Sequence, residues 1–153
     1  STQAKADPLY FDHDEIGYNY RMTNVQAALG VAQLEQLEGF IKSKTHNYHL
    51  YQDLGVSLLP FRKDTRPNYW FYSFLTEDRD ALLEYLRAQE IQTRPIWKLI
   101  HSLPMYKGCE CSAMDRAPYY YERVLNLPCS SNLTGDEVDQ VVQAIHAFER
   151  DRI

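Results

Sequence analysis

The sequence predicts an α/β fold in its α+β form: a long helix leading into a small sheet of three or four strands with helices packed on it. Two observations carry this. Stretches with helical apolar spacing alternate with short aromatic or β-branched runs. Two helices open on capping boxes, Thr23 with Gln26 and Thr134 with Glu137. The length, 153 residues, suits one small domain and its approach.

Residues 1–22 read as an extended or irregular arm, punctuated by Pro8 and Gly17. The chain opens on Ser1 without an initiator Met and is expected to begin inside a longer protein. Residues 23–54 are a linking helix region. With Thr23 as N-cap, the helix is expected to run to about Phe40. Val25, Ala28, Leu29 and Ala32 mark an apolar stripe that Leu34, Leu37 and Ile41 extend, so this stripe is expected to be buried. Ala27, Ala28, Gly30 and Ala32 are small enough for another backbone to approach. Gly30 costs roughly 1 kcal/mol against Ala within a helix, which close packing would offset. Residues 42–54 continue this helix or form a second one, ending before Gly55.

Residues 55–153 make up the small domain. Residues 56–60 read as a short extended strand and 62–68 as a polar loop. YWFYSFL, residues 69–75, has high β-propensity and reads as a strand. Residues 78–89 form an amphipathic helix with Leu82, Leu83, Tyr85 and Leu86 inward. Residues 91–96 are the next strand, and a loop with Pro95 and Pro104 follows. Residues 111–123 read as a helix that Pro118 limits or kinks. Residues 124–127 form a strand stopped by Pro128. The last helix starts at Leu133 or Thr134 and buries Val138, Val141, Val142, Ile145 and Phe148.

Composition excludes some classes. A net charge of −5 and a pI near 5.5 argue against a nucleic-acid surface. No apolar run nears the roughly 20 residues that span a bilayer, so no membrane partner is expected. The N-terminus, STQAKADPLY, carries no signal-peptide pattern. Three cysteines, Cys109, Cys111 and Cys129, do not make a disulfide framework, which points to a reducing, cytoplasmic setting. Aromatic residues reach 13%, and many stand beside Pro, Arg or Asn, as they do at interfaces and ligand sites as well as in cores.

Two stretches have residues suited to chemistry. In Gly17-Tyr18-Asn19-Tyr20-Arg21, Arg21 has a planar fork for phosphate and Asn19 an amide donor, with a helix N-terminus just beyond. The same stretch is also a loop that caps the helix and packs its tyrosines. In the loop 93–106, Arg94, Trp97, Lys98, His101 and Tyr106 are expected beyond a strand end. Arg and Lys suit a phosphate, and aromatic rings suit a sugar or base; a surface loop pinned by prolines fits as well. His46 and His49, or Cys109 and Cys111 with Cys129, are too sparse for a metal site, and none is expected. Nucleophile elbow, Walker and Gly-rich dinucleotide motifs are missing from the sequence. Asp12, Asp14 and Glu15 read as a solvated acidic patch rather than an acid–base pair.

GYNYRMTNVQAALGVAQL resembles a signature of the DegT/DnrJ/EryC1/StrS sugar aminotransferases. STQAKADP is similar to the segment just after that family's cofactor lysine. TRPIWKLIHSLPMY resembles its later substrate loop, and LNLPCSSNLTGDEVDQVVQAI its closing strand and helix. The resemblance covers essentially the whole chain, and the first motif is the most specific. The wording TRPIWKLIH is closest to members acting at C4 of UDP-linked 2-acetamido-dideoxyhexoses, the legionaminic-acid and bacillosamine type.

The resemblance implies the C-terminal part of a type I, aspartate-aminotransferase-like enzyme using pyridoxal phosphate. The parent would move an amino group, usually from glutamate, to a nucleotide-linked keto-sugar. It would act as a homodimer with sites at the subunit interface. Asn19 then falls on the residue that reaches the cofactor phosphate of the neighbouring subunit. Arg21 falls near the phosphates or the nucleotide sugar, and Trp97 and His101 fall on the loop that approaches the hexose. Leu99 stands where many relatives carry Pro. The Schiff-base lysine lies upstream; Lys5 does not match it. The chain alone is therefore expected to be inactive, with an apolar face exposed toward the large domain. Two alternatives stay open: a pyridoxamine-phosphate-dependent sugar dehydratase of the same family, and a non-catalytic partner or interaction module.

Overall fold

The computed structural model describes residues 20–106 and 108–151. Seven regular elements follow in order: α1 (Asn24–Asp53), β1 (Tyr72–Leu75), α2 (Arg79–Ala88), β2 (Arg94–Pro95), α3 (Ala117–Arg123), β3 (Val124–Leu127) and α4 (Gly135–Arg150). The chain falls into two compact units, residues 1–38 and 39–153.

In the first unit, the capping box forms as read. The Gln26 backbone N–H donates to Thr23 Oγ1 at 3.3 Å, and Thr23 N–H donates to Gln26 Oε1 at 2.9 Å. The helix does not end near Phe40. α1 is one continuous helix of 30 residues, because no Gly-Pro or αL break interrupts it before Gly55. The apolar stripe is not buried: Val25, Leu29, Leu34 and Leu37 are all exposed. A Cβ built on Gly30 meets nothing within 4 Å, so the close approach expected there is not made by the described chain.

In the second unit, α1 ends in a Schellman motif. Val56 N–H bonds to Tyr51 C=O at 2.9 Å and Gly55 N–H to Gln52 C=O at 3.0 Å. Gly55 has φ +95, a left-handed conformation that glycine adopts without the steric cost of a Cβ. The C-terminal turns of α1 bury Tyr48 and Tyr51. Their hydroxyls donate to the carbonyls of Leu59 and Pro128, and Tyr72 of β1 returns the tie by donating to Lys44 C=O at 2.6 Å.

The sheet has the order β1-β3-β2 with every pair antiparallel. β3 is thus inserted between two strands linked by α2, a split β-α-β arrangement. Tyr72 pairs with Leu127 and Phe74 with Leu125, and these four residues join α2 and α4 in the core. Ser73, Asn126 and Arg94 fall in one polar row on the alternate face, with Ser73 Oγ 2.9 Å from Asn126 Oδ1. β3, α2 and α4 lie where the sequence places them.

Besides β1, which starts at Tyr72 rather than at residue 69, three elements are shorter than read. Residues 56–60 contribute only a bridge between Leu58 and Phe74. The strand read over 91–96 pairs only at Arg94–Pro95, since Pro95 lacks the N–H to extend a ladder. The helix read from 111 starts at Ala117, with Pro118 in its first turn, where a missing N–H costs little.

α4 is capped at Thr134 by the reciprocal pair with Glu137. The backbone and hydroxyl hydrogen bonds from Thr134 hold the Glu137 carboxyl below its ordinary range. A depressed folded pKa means this contribution is present above the ordinary glutamate range and lost as pH falls through the folded value. Thr134→Ala should cost about 1 kcal/mol near neutral pH, read as a lowered midpoint in urea. The difference between variant and parent should shrink in acid. A pH-independent difference would mean that Glu137 takes no part in the cap.

Among the described residues, no helix is long and apolar enough to cross a membrane.

Candidate functional site

β2 leads directly into the loop that carries two of the expected site residues. Trp97 lies two residues past the strand and is 67% exposed. Its ring meets Phe71 edge-on at 5.2 Å and Trp70 at 6.0 Å, while Trp70 stacks on Phe71 at 4.8 Å. Trp70 is itself 62% exposed. Three aromatic rings therefore form one surface cluster ahead of β1.

The backbone holds that cluster in place. Tyr69 has φ +52, an uncommon and strained conformation for a bulky residue. Its carbonyl accepts from Lys44 Nζ at 3.3 Å, and Lys44 also donates to the Cys129 carbonyl. Cys129 Sγ in turn donates to the Trp70 carbonyl at 3.0 Å. The Tyr69 ring packs against Tyr48 and Phe61, so the turn is fixed from both sides. The sequence reads residues 69–71 as strand, and so does not anticipate that Trp70 and Phe71 meet Trp97.

Leu99 has φ −61 and ψ 128, extended backbone angles that proline also favours, so either residue would keep this path. Two short 3-10 turns follow, Ile100–Ser102 and Pro104–Tyr106. Ser102 closes the first by donating N–H and Oγ to Leu99 C=O at 2.9 and 2.7 Å. His101, on this turn, is exposed and lines a cleft of about 480 Å3 with Lys98, Tyr106, Cys109 and Cys111.

The expected residues are thus brought together only in part. Trp97 and His101 share a loop, yet Trp97 joins the Trp70–Phe71 rings and His101 faces the smaller cleft. Arg94 is not beyond the strand end but within β2, where it lines a second cleft of about 800 Å3 with Trp70, Phe71 and Lys44. Arg21 is exposed just before α1, in the first unit. Asn19 lies outside the described residues. Among the described residues, no group of three or more His, Cys, Asp or Glu side chains is placed to hold a metal ion.

For pyridoxal phosphate, the described residues with matching chemistry are Arg21 and the N-terminus of α1. A guanidinium and a helix start carrying no acidic residue in its first turn suit a phosphate.

Solved structures share this architecture. The aminotransferase TlmJ from Streptoalloteichus hindustanus superposes with a TM-score of 0.81 at 20% identity, over 95% of this chain and 41% of that one. Helicobacter pylori PseC, an aminotransferase involved in the biosynthesis of pseudoaminic acid, gives 0.75 at 22% identity, over 94% and 42%. At such identities the likeness establishes the fold alone: helices packed on a small three-stranded antiparallel sheet.

Sequence similarity goes further. The DegT/DnrJ/EryC1/StrS aminotransferase family model matches residues 2–146, and this chain belongs to that family, whose members depend on pyridoxal phosphate. GDP-perosamine synthase of Escherichia coli O157:H7 is 36% identical over 149 residues, covering 92% of this chain and 40% of that protein. The Vibrio cholerae GDP-perosamine synthase is 35% identical, covering 89% and 40%. The chain therefore spans about 40% of the length of the curated relatives it matches.

Proposed function

We propose that this chain is the C-terminal part of a cytoplasmic aminotransferase that moves an amino group from an amino acid, glutamate, to a nucleotide-linked keto-sugar for surface-glycan or amino-sugar biosynthesis. The observation that carries this reading is the family match over residues 2–146. The identity to two GDP-perosamine synthases and the exposed Trp97–His101 loop support it.

Pyridoxal phosphate, when bound, supplies the electron sink for amino transfer. The chain's own residues bind and orient. Asn19 donates its amide to the cofactor phosphate in the neighbouring subunit's site, in a homodimer. Arg21 holds phosphate oxygens at the start of α1. Trp97 offers a ring to the sugar, and His101, four residues on, offers an imidazole N–H or lone pair to a hexose hydroxyl. The Schiff-base lysine belongs to the complete enzyme, so the 153-residue chain alone gives no turnover.

The test is 2-oxoglutarate release from glutamate by the complete protein, with pyridoxal phosphate and a 4-keto nucleotide sugar. Sustained release that requires the sugar is expected; none with any nucleotide-linked keto-sugar would end the reading. In the same assay His101→Ala should lower kcat/KM for the sugar about 3- to 10-fold, the scale of one neutral hydrogen bond. The single-turnover reaction with glutamate should be unchanged. A slowed glutamate half-reaction would remove His101 from the sugar site.

A further inference from the structure

We propose that Trp70, Phe71 and Trp97, with Arg94 beside them, form the subsite for the nucleotide half of a nucleotide-linked sugar. The base lies against the indole faces and the diphosphate meets the guanidinium. This rests on the reading of the chain as part of a nucleotide-sugar aminotransferase, and it adds residues that reading does not use.

Three independent features meet here. The first is exposed ring area. Trp70 and Trp97 are 62% and 67% exposed, and their rings share Phe71 as a neighbour. Aromatic faces that the described chain leaves uncovered at one spot are suited to stack on a planar ligand.

The second feature is rigidity. The strained αL backbone at Tyr69 is locked by Lys44, and the Trp70 carbonyl is locked by Cys129 Sγ. Strain retained by surrounding hydrogen bonds is typical of groups set in place before a ligand arrives.

The third is unpaired charge. Arg94 makes no ion pair among the described residues. It ends the polar row Ser73–Asn126–Arg94 and lines the 800 Å3 cleft together with Trp70 and Phe71. That volume suits a nucleotide.

The combination selects the ligand half. A planar base of any identity can stack on an aromatic face. A guanidinium fork matches a diphosphate. Gln89, Gln92 and Asn126 add carboxamides to the same cleft, and these can read a base edge. A bare hexose would use the rings and leave Arg94 without its anion.

The experiment titrates the complete protein, without amino donor, with GDP, UDP and dTDP by calorimetry and tryptophan fluorescence. One of the three should bind and quench the fluorescence. Trp70→Ala should weaken that binding roughly 5- to 150-fold, the scale of one stacked base, and Trp70→Phe should recover most of it. Arg94→Ala should weaken the diphosphate about tenfold or more, yet leave the corresponding nucleoside unchanged.

Nucleoside diphosphates that fail to bind, or Trp70→Ala and Arg94→Ala variants that bind them like the parent, would overturn the subsite. A loss seen only with the nucleotide-linked sugar would assign the rings to the hexose and overturn the base assignment. Binding that follows the variants in a protein lacking amino transfer to every nucleotide-linked sugar would uphold the subsite while removing the proposed reaction.

Discussion

Tyr72→Ala is expected to destabilise the second unit by about 3–5 kcal/mol, the cost of emptying a large aromatic site in a packed core. Tyr72 is fully buried, and its ring meets Tyr51 at 5.7 Å and Tyr48 at 5.8 Å. It couples β1 to α1, because its hydroxyl donates to Lys44 C=O. Net domain stability is only about 5–15 kcal/mol, so this one truncation should remove a large share of it.

Tyr72→Phe keeps the ring and loses one hydrogen bond to a carbonyl of α1, and should cost about 0.5–1.5 kcal/mol. Urea denaturation of the chain reads both as lower midpoints at similar slope. A Tyr72→Ala loss no larger than that of Thr134→Ala would show that the tyrosine cluster is not the centre of this core.

The same cluster gives an alkaline limb. Burial, the largest cause, pushes the Tyr51 and Tyr72 phenols well above their ordinary 10.0. A raised folded pKa means the contribution is full below the ordinary phenol range and is lost as pH rises through the folded value. Tyr72→Phe should therefore lose less stability than the parent does on moving from neutral to strongly alkaline solution.

The elements legible in the sequence are those whose local signals agree with their packing. Thr134 and Glu137 state the start of α4, and Val138, Val141, Val142 and Ile145 state its buried face. β3 is legible because Val124, Leu125 and Leu127 surround one Asn and stop at Pro128, and all four of its residues are buried. Residues 69–71 show where the reading fails. Five of the seven residues of YWFYSFL are aromatics that favour strand by propensity, yet Tyr69 turns into the αL region and frees Trp70 and Phe71 from the ladder. What fixes that turn is Lys44, 25 residues away, and Cys129, 59 residues from Trp70, and no local pattern reports contacts at such separations.

The candidate site divides the same way. Trp97 and His101 were legible as residue types on a loop, and the loop is there. Their separation into an aromatic surface and a smaller cleft depends on which rings come to meet Trp97, which only the fold decides. The apolar stripe of α1 is the converse case. Its spacing is helical, as read, but spacing alone does not say what covers it, and the described chain leaves it exposed.

Asn19→Ala should loosen cofactor retention in the complete enzyme by roughly 10- to 150-fold, since a hydrogen bond to a charged group is worth about 1.5–3 kcal/mol. Dialysis followed by the absorbance of retained pyridoxal phosphate measures this. Equal retention in the variant and the parent would detach Asn19 from the phosphate. The subunit in which Asn19 acts can be read from mixed dimers. One subunit carries Asn19→Ala with its cofactor lysine intact; the other keeps Asn19 but lacks that lysine. If Asn19 reaches into the neighbouring site, the lysine of the first subunit is served by the intact Asn19 of the second, and each mixed dimer regains one site of normal affinity. If Asn19 acts within its own subunit, both sites stay defective and mixing restores nothing. Complementation therefore decides in which subunit's site Asn19 acts, and its absence would remove the proposed sharing of sites between subunits.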